Sequence, residues 1–231
     1  VESQPKAYAV IFDMDGVIVD SELHWKSTEG FFLQSLIPGW TSADQDQIIG
    51  LSVHDLYRLL TTRYGVTLSK EQFLVMYQGM ADEIYGQKAS LLPGFCDLLA
   101  SLKEQGIPLA LASSSPMSWI NIVLDRFDLR SSFDVVLSAD QLEQGRGKPS
   151  PAIYLLTAER LGVPPQRCVV IEDSMNGALS AKRAGMFCIG LRNGFNEEQD
   201  LSPADVVMDS FDIEPLIAQW LESQSSEANL A

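Results

Sequence analysis

The stretch AVIFDMDGVIVDSE, residues 9–22, begins as a strand and then places two acids where a strand should stop. Ala9 to Phe12 are apolar without alternation, the pattern of a strand covered on both faces. Asp13 and Asp15 follow. Side chains two apart on an extended chain lean to the same side, so these carboxylates crowd one another at the strand end. Like charges that close are costly to ionise unless a cation stands between them. Gly16 comes next and lets the backbone turn sharply or approach a ligand. Taken alone, the segment also fits a solvated turn punctuated by Asp and Gly.

Working outward, five further apolar runs read as strands, at 108–112, 135–138, 168–171, 186–191 and 206–208. Helical patterns separate most of them, at 95–105, 119–126, 152–161, 178–184 and 213–221, with Gly106, Gly162 and Gly185 at helix ends. Strand alternating with helix predicts an α/β fold with a parallel sheet covered on both faces. Residues 20–92 break the alternation. They carry amphipathic runs at 23–36, 43–49, 53–64 and 70–85, too much chain for an ordinary crossover and suited to a compact helical insert. Leu92-Pro93-Gly94 marks the return to the sheet, and the polar tail ESQSSEANLA is expected to fray.

The 231 residues suffice for a full α/β core and a small second module, and 46% hydrophobic with 20% charged residues is the composition of a globular chain. The net charge of −15 is spread along the sequence, which makes nucleic acid and anionic membrane surfaces poor partners. No apolar run approaches the roughly 18 residues of a membrane span. The segment VESQPKAYAVIF has no basic lead and no cleavage site, so no signal peptide is expected. Cys96, Cys168 and Cys188 form no CxxC pair; their odd number fits a reducing cytoplasm, and all three are expected to be buried structural thiols.

Ligands of open α/β sheets gather beyond the carboxyl ends of the strands, so what each strand ends on matters. The first ends on Asp13 and Asp15. The second runs into ALASSSPMS, whose hydroxyls and free N–H groups at a helix start make an anion site, or a plain N-cap. The third leads to GRGKPSP, where Lys148 sits in a stiff turn, although a turn lysine is often a solvated surface charge. The fourth ends on Glu172 and Asp173, which either favour the helix N-terminus that follows or hold a hard divalent cation. Each signal is weak alone. Together they direct Asp-x-Asp, serines, a lysine and an acidic pair to one rim of one sheet, where a metal among Asp13, Asp15 and Asp173 would neutralise the crowded acids beside a phosphoryl group held by serine and lysine.

In this order, DMDGVIVDSE, ASSS, GKPSP and IEDSMNG resemble the four motifs of the haloacid dehalogenase superfamily, most of all its β-phosphoglucomutase and sugar-phosphatase branch. The resemblance spans almost the whole chain. It implies a Rossmann-like core from residues 1–19 and 91–231, with a substrate-selecting helical cap over 20–90. It also implies a phosphoaspartyl mechanism in which Asp13 is the nucleophile and Asp15 the general acid and base. Lys148, Ser113 and Ser114 would bind and screen the phosphate. Mg²⁺ would take Asp13, the main-chain oxygen of Asp15, and Asp173, with Glu172 orienting a metal-bound water.

The expected activity is a cytoplasmic, monomeric, Mg²⁺-dependent phosphatase acting on a small phosphorylated metabolite such as a sugar phosphate. The alternatives are a β-phosphoglucomutase-type isomerase and, less favoured, a non-catalytic binding protein. Dehalogenation is disfavoured because Asp15 supplies an acid/base that the family's dehalogenases lack. Mutases of this branch carry a Gly-x-Ser-Arg cap loop, but this chain has Gly50-Leu51-Ser52-Val53 followed by His54. Gly50, Ser52 and His54 are expected near the substrate, with an exposed helix-start histidine as the other reading of His54. His24 lies where related mutases place a histidine that assists the acid/base, and also suits a structural role on the cap helix. Glu22 either faces the entrance, selecting neutral or cationic substrate portions, or caps its helix.

Overall fold

The computed structural model describes residues 8–48, 51–143 and 145–228. β1 (Ala9–Phe12) leads into α1 (Ser21–Leu36), α2 (Ser42–Asp46), α3 (Val53–Arg63) and α4 (Lys70–Glu83), and a π-helical turn over Ile84–Lys88 continues the last. There follow α5 (Phe95–Glu104), β2 (Leu109–Ser113), α6 (Met117–Arg126), β3 (Val135–Ser138), α7 (Ala152–Leu161), β4 (Cys168–Glu172), α8 (Met175–Arg183), β5 (Phe187–Leu191), β6 (Val206–Met208) and α9 (Glu214–Ala228). Every strand expected from an apolar run is present. Two extend one residue further at their carboxyl ends, which carries Ser113 opposite Ser138 and Glu172 opposite Gly190.

The six strands form one parallel sheet in the order β3-β2-β1-β4-β5-β6. Pleating divides β1 between two cores. Val10 and Phe12 join the cluster built with Phe95, Leu102, Ile120 and Leu124, while Ala9 and Ile11 join that of Ile153, Tyr154, Ala178 and Ala181. Phe12 meets Phe95 and Phe133 edge-on, with ring centroids 5.6 and 6.2 Å apart. The chain proceeds from β1 outward to β2 and β3, then crosses to β4 on the other side. The carboxyl end of β1 therefore sits at the switch point, where the flanking connections diverge and leave a crevice.

The helical insert leaves and returns through one neck beside that crevice. Asp20 N–H donates to Ser90 O at 3.0 Å, Leu92 N–H donates to Ile18 O at 3.0 Å, and Ser90 N–H donates to the Asp20 carboxylate at 2.6 Å. The expected helix 70–85 changes pitch at Ile84, where Ala89 N–H closes onto Ile84 O at 2.8 Å, five residues back.

Two expectations are corrected. The tail at 222–231, expected to fray, is helical as far as Ala228, where α9 ends; 229–231 lie outside the described residues. Trp220 anchors that helix by stacking on Phe187 at 5.1 Å, and the Glu, Gln and Ala that follow are good helix formers. Cys168 and Cys188 are buried but Cys96 is exposed. α5 buries Phe95, Leu98, Leu99 and Leu102, an i, i+3, i+4, i+7 stripe that leaves position 96 on the outer face. No helix among the described residues is long and apolar enough to cross a membrane.

Candidate active site

The crevice at the end of β1 opens into a cavity roofed by the insert, lined from below by Asp13, Asp15, Ser113, Ser114, Lys148 and Asp173. All of these were expected at the site, and four different connections deliver them. β1 stops at Phe12, and Asp13 N–H still bonds Ile171 O of β4 at 3.1 Å, which fixes the start of this segment against the β4 end. Gly16 takes φ +71°, and a Cβ there would lie 1.9 Å from an Asp173 carboxylate oxygen, so the backbone can run this close to Asp173 only as glycine.

Lys148 is the hinge of the charged network. Its ammonium donates to Asp13 Oδ1 at 2.7 Å, to Glu172 Oε1 at 2.6 Å and to Ala112 O at 3.4 Å, and it lies 5.2 Å from the Tyr154 ring centroid. Burial works against this ammonium, but the carboxylates of Asp13 and Glu172 outweigh it and raise its pKa above the ordinary lysine value. Lys148 is thus a buried, ion-paired cation and not a solvated turn residue.

Glu172, expected beside the metal, lies behind Lys148 in this network. It is fully buried, its Oε1 accepts from Lys148 and Tyr154, and its Oε2 accepts from Ser174 Oγ and the backbone N–H groups of Asp173 and Ser174. Both oxygens are engaged, so Glu172 fixes Lys148 and the start of α8. A Cβ on Gly177 would fall 1.9 Å from this carboxylate, which ties that glycine to the same arrangement.

Asp13, Glu172 and Asp173 offer carboxylate oxygens within 4.8 Å of one another. Hard oxygen donors on a converging set suit Mg²⁺. With Glu172 engaged behind, Asp13 and Asp173 are left to face the cavity. Asp13 Oδ1 takes the lysine, and Oδ2 accepts no hydrogen bond among the described residues. Burial pushes the Asp13 carboxyl up to about 7, with Lys148 opposing and the Glu172 and Asp15 charges adding to the rise. Asp173 is raised further by burial, then by the charges of Glu22, Glu172, Asp13 and Asp15. The protein's own groups leave this carboxylate pair short of positive charge, and a divalent cation fits the deficit.

Asp15 is held differently. Its Oδ1 accepts from Ser21 Oγ and Tyr85 Oη at 2.6 Å each, and its Oδ2 accepts from Ser115 Oγ at 2.7 Å. Ser21 opens α1, Tyr85 lies in the π-helical turn, and Ser115 follows β2. Tyr85 in turn accepts from Trp25 Nε1 at 2.9 Å. Two of the three donors to Asp15 therefore belong to the insert.

Several of these residues gave no reliable sequence signal. Ser115 stood within the serine run, and Asn193 and Asn196 follow the fifth strand, so both places could have been searched. Asn193 Nδ2 donates to Gly16 O at 2.8 Å and to Asp173 Oδ2 at 3.2 Å; Asn196 Nδ2 donates to Asp173 O at 2.8 Å. Tyr85 and Tyr154 had no local pattern that marked them for the site.

In the insert, Leu51 and Val53 line the cavity, but two expected substrate contacts lie elsewhere. Ser52 caps α3 by accepting from Asp55 N–H at 3.1 Å, and it faces a second recess. His54 also lines that recess, with Nε2 3.6 Å from Asp140. At a helix start successive side chains point about 100° apart, so Val53 takes the cavity side and its neighbours cannot. Gly50 lies outside the described residues. Glu22 faces the cavity and is not a cap, since Asp20 at the N-cap makes no side-chain bond and Glu22 is free for the interior. His24 does not line the cavity.

Comparison with known proteins agrees with this geometry. The family model described as haloacid dehalogenase-like hydrolase matches residues 8–185. Hexitol phosphatase B of Escherichia coli K12 is 37% identical over 182 residues, covering 77% of this chain and 80% of the relative. The phosphorylated carbohydrates phosphatase of Thermotoga maritima is 34% identical over 200 residues, covering 86% of this chain and 92% of the relative. Among solved structures, β-phosphoglucomutase from Clostridium difficile superposes with a TM-score of 0.76 at 28% identity, covering 95% of this chain and 99% of that one. A parallel sheet with Asp13, Asp15, Lys148 and Asp173 on one rim, matched by the family model over β1 to α8, identifies the chain as a haloacid dehalogenase-like hydrolase, an enzyme of that family's phosphatase type.

Proposed function

We propose that this enzyme is a Mg²⁺-dependent phosphatase that releases phosphate from a small phosphorylated metabolite, a sugar or polyol phosphate, through a phosphoaspartate on Asp13. The observation that carries the reading is the free Asp13 Oδ2 on the cavity floor, with Lys148 fixed on its other oxygen. A carboxylate is a weak nucleophile toward a phosphate dianion, so it needs cations to screen the approach. Lys148 supplies one, and Ser113 and Ser114 add hydrogen-bonding groups beside it. Asp13 and Asp173, with the main-chain oxygen of Asp15, would hold Mg²⁺, which when bound neutralises charge on the phosphoryl oxygens.

In the first step Asp13 Oδ2 bonds to phosphorus as the ester P–O bond breaks, and Asp15 gives its proton to the leaving oxygen. In the second, Asp15 takes a proton from water, the water oxygen bonds to phosphorus, and phosphate leaves with the Asp13 carboxylate restored. Fixed charge around a charge-dispersed transition state is the dominant help such sites give. The insert over 20–90 acts as the cap: it closes the cavity and supplies Ser21 and Tyr85 to the acid/base.

The mutase alternative is weaker, because the cavity wall at position 53 presents an apolar valine with no charge to hold a second phosphate. The test is a phosphate-release screen over phosphorylated metabolites with Mg²⁺, repeated in excess chelator and run beside a β-glucose 1-phosphate isomerisation assay. Release that chelator abolishes supports the reading. Undiminished turnover with no metal retained, or isomerisation outrunning release, overturns it.

A further inference from the structure

The cavity has two chemically distinct ends. The sheet end collects the phosphoryl machinery. The insert end is formed by α1, whose Glu22, Lys26 and Glu29 lie on one face at spacings of four and three. Glu29 is a built acceptor. Its Oε1 accepts from Tyr77 Oη at 2.9 Å and its Oε2 from Gln45 Nε2 at 2.5 Å. Gln45 is itself oriented, because its Oε1 accepts from Trp40 Nε1 at 3.0 Å and leaves only the amide N–H₂ for Glu29. Glu22 also lines the cavity and makes no hydrogen bond among the described residues, so its carboxylate is available to a ligand.

Between the two ends runs an aromatic wall, with Trp25 stacked on Trp119 at 4.9 Å and on Tyr77 at 5.9 Å. Such a wall suits the C–H face of a carbon chain. Cations are scarce. Among the described residues lining the cavity, the basic side chains are Lys148, committed to Asp13 and Glu172, and Lys26, half-exposed with its ammonium 3.5 Å from Glu198. Burial raises Glu29 to about 7 against the hydrogen bonds from Tyr77 and Gln45, and raises Glu22 to about 8, helped by the Asp15, Glu29 and Asp13 charges and opposed by Lys26.

We propose that Glu29, held by Tyr77 and Gln45 and joined by Glu22, makes the insert end of the cavity a charge filter. It admits phosphate monoesters whose far end is neutral or cationic and donates hydrogen bonds, and it rejects those carrying a second anionic group. The inference rests on the phosphatase reading above and adds the class of substrate. A hydroxyl or ammonium at the far end meets oriented acceptors, whereas a carboxylate or second phosphate meets two acids opposed only by the half-exposed Lys26, which leans toward Glu198.

The test compares kcat/KM at pH 8.5 with Mg²⁺ for matched probes. Sorbitol 6-phosphate and 6-phosphogluconate differ at carbon 1, alcohol against carboxylate; glucosamine 6-phosphate adds an amine to glucose 6-phosphate, and glucose 1,6-bisphosphate adds a second phosphate. For probes that are not turned over, inhibition of p-nitrophenyl phosphate hydrolysis gives the same ranking. The neutral and amino probes are expected to lead the anionic ones by at least about tenfold, and Glu29→Gln and Glu22→Gln each to narrow that ratio about threefold or more, mainly through KM. Equal or better use of 6-phosphogluconate by the wild type overturns the filter, as does an unchanged ratio in the folded variants. Should neither variant fold, the wild-type ranking decides. Failure of every ester, p-nitrophenyl phosphate included, would instead overturn the phosphatase reading.

Discussion

The floor and the roof of one cavity are built on opposite plans. The floor takes its groups from strand ends, one after another along the chain, and locks them together: Lys148 bridges Asp13 and Glu172 with little solvent contact. The roof takes Glu29, Gln45 and Tyr77 from three different helices and joins them by hydrogen bonds, with no ion pair among them. Removing a partner from a buried, mutually bonded set leaves an uncompensated charge, whereas changing a roof residue alters what fits. Chemistry is therefore expected to fail abruptly when the floor is changed, and selectivity to drift when the roof is.

The largest effect tests the floor. Asp13→Asn is expected to remove turnover and any covalent phosphoenzyme, because an amide offers no nucleophilic carboxylate oxygen; intact-protein mass after mixing with an activated phosphoryl donor reads this directly. Phosphate still found on the variant would move the nucleophile elsewhere. Asp15→Asn should lose about 10²–10⁴-fold in kcat, the usual share of general acid–base catalysis. It should still accept phosphate from a donor with a good leaving group and stall there, with the label mapping to Asp13.

Tyr85→Phe probes the seam between the two regions. It removes one of three donors to Asp15 while keeping the ring against Trp25 and Trp119. We expect about a ten- to hundredfold fall in kcat with KM little changed, since one hydrogen bond to a charged group is worth about 1.5–3 kcal/mol. Loss confined to KM would show that Tyr85 belongs to the roof alone. On the roof itself, Val53→Arg should tighten binding of bisphosphorylated sugars several-fold, by adding the cation this wall lacks, while leaving monoester hydrolysis in place. Unchanged affinity would mean that position 53 does not reach a bound substrate.

The smallest effect is thermodynamic. Burial raises Glu29 from 4.5 to about 7, offset in part by the hydrogen bonds from Tyr77 and Gln45. A folded carboxyl that holds its proton more tightly than the unfolded one loses stability as pH rises between those values, because the folded state then binds more protons. Glu29→Gln should flatten the pH dependence of the unfolding free energy between pH 4.5 and 7, on the order of 1–3 kcal/mol across the window. Identical slopes in denaturant titrations of the two proteins would place Glu29 in water.

How much of this was legible depends on how each residue reaches the site. Asp13, Asp15, Ser113, Lys148 and Asp173 could be found by asking what each apolar run ended on, because parallel strands deliver their carboxyl ends to a common rim. Glu172 could be found the same way, but its bonds to Lys148 and Tyr154 could not, since those partners come from other connections. Ser52 and His54 were placed through the likeness of residues 50–54 to a mutase cap loop, and at a helix start adjacent side chains face different ways. Val53, between them, faces the cavity.

The sequence by itself determined the alternation of strands and helices, the insert after the first strand, and the charged rim, because each depends on local periodicity or on strand-end position. Only the tertiary structure decided which insert side chains close the cavity. Glu29 and Tyr77 are 48 residues apart, and Tyr85 meets Asp15 across 70. Contacts at that range are set by how helices pack over the sheet, and the free energy that selects one packing is distributed over the whole apolar interface, leaving no mark at the residues it brings together.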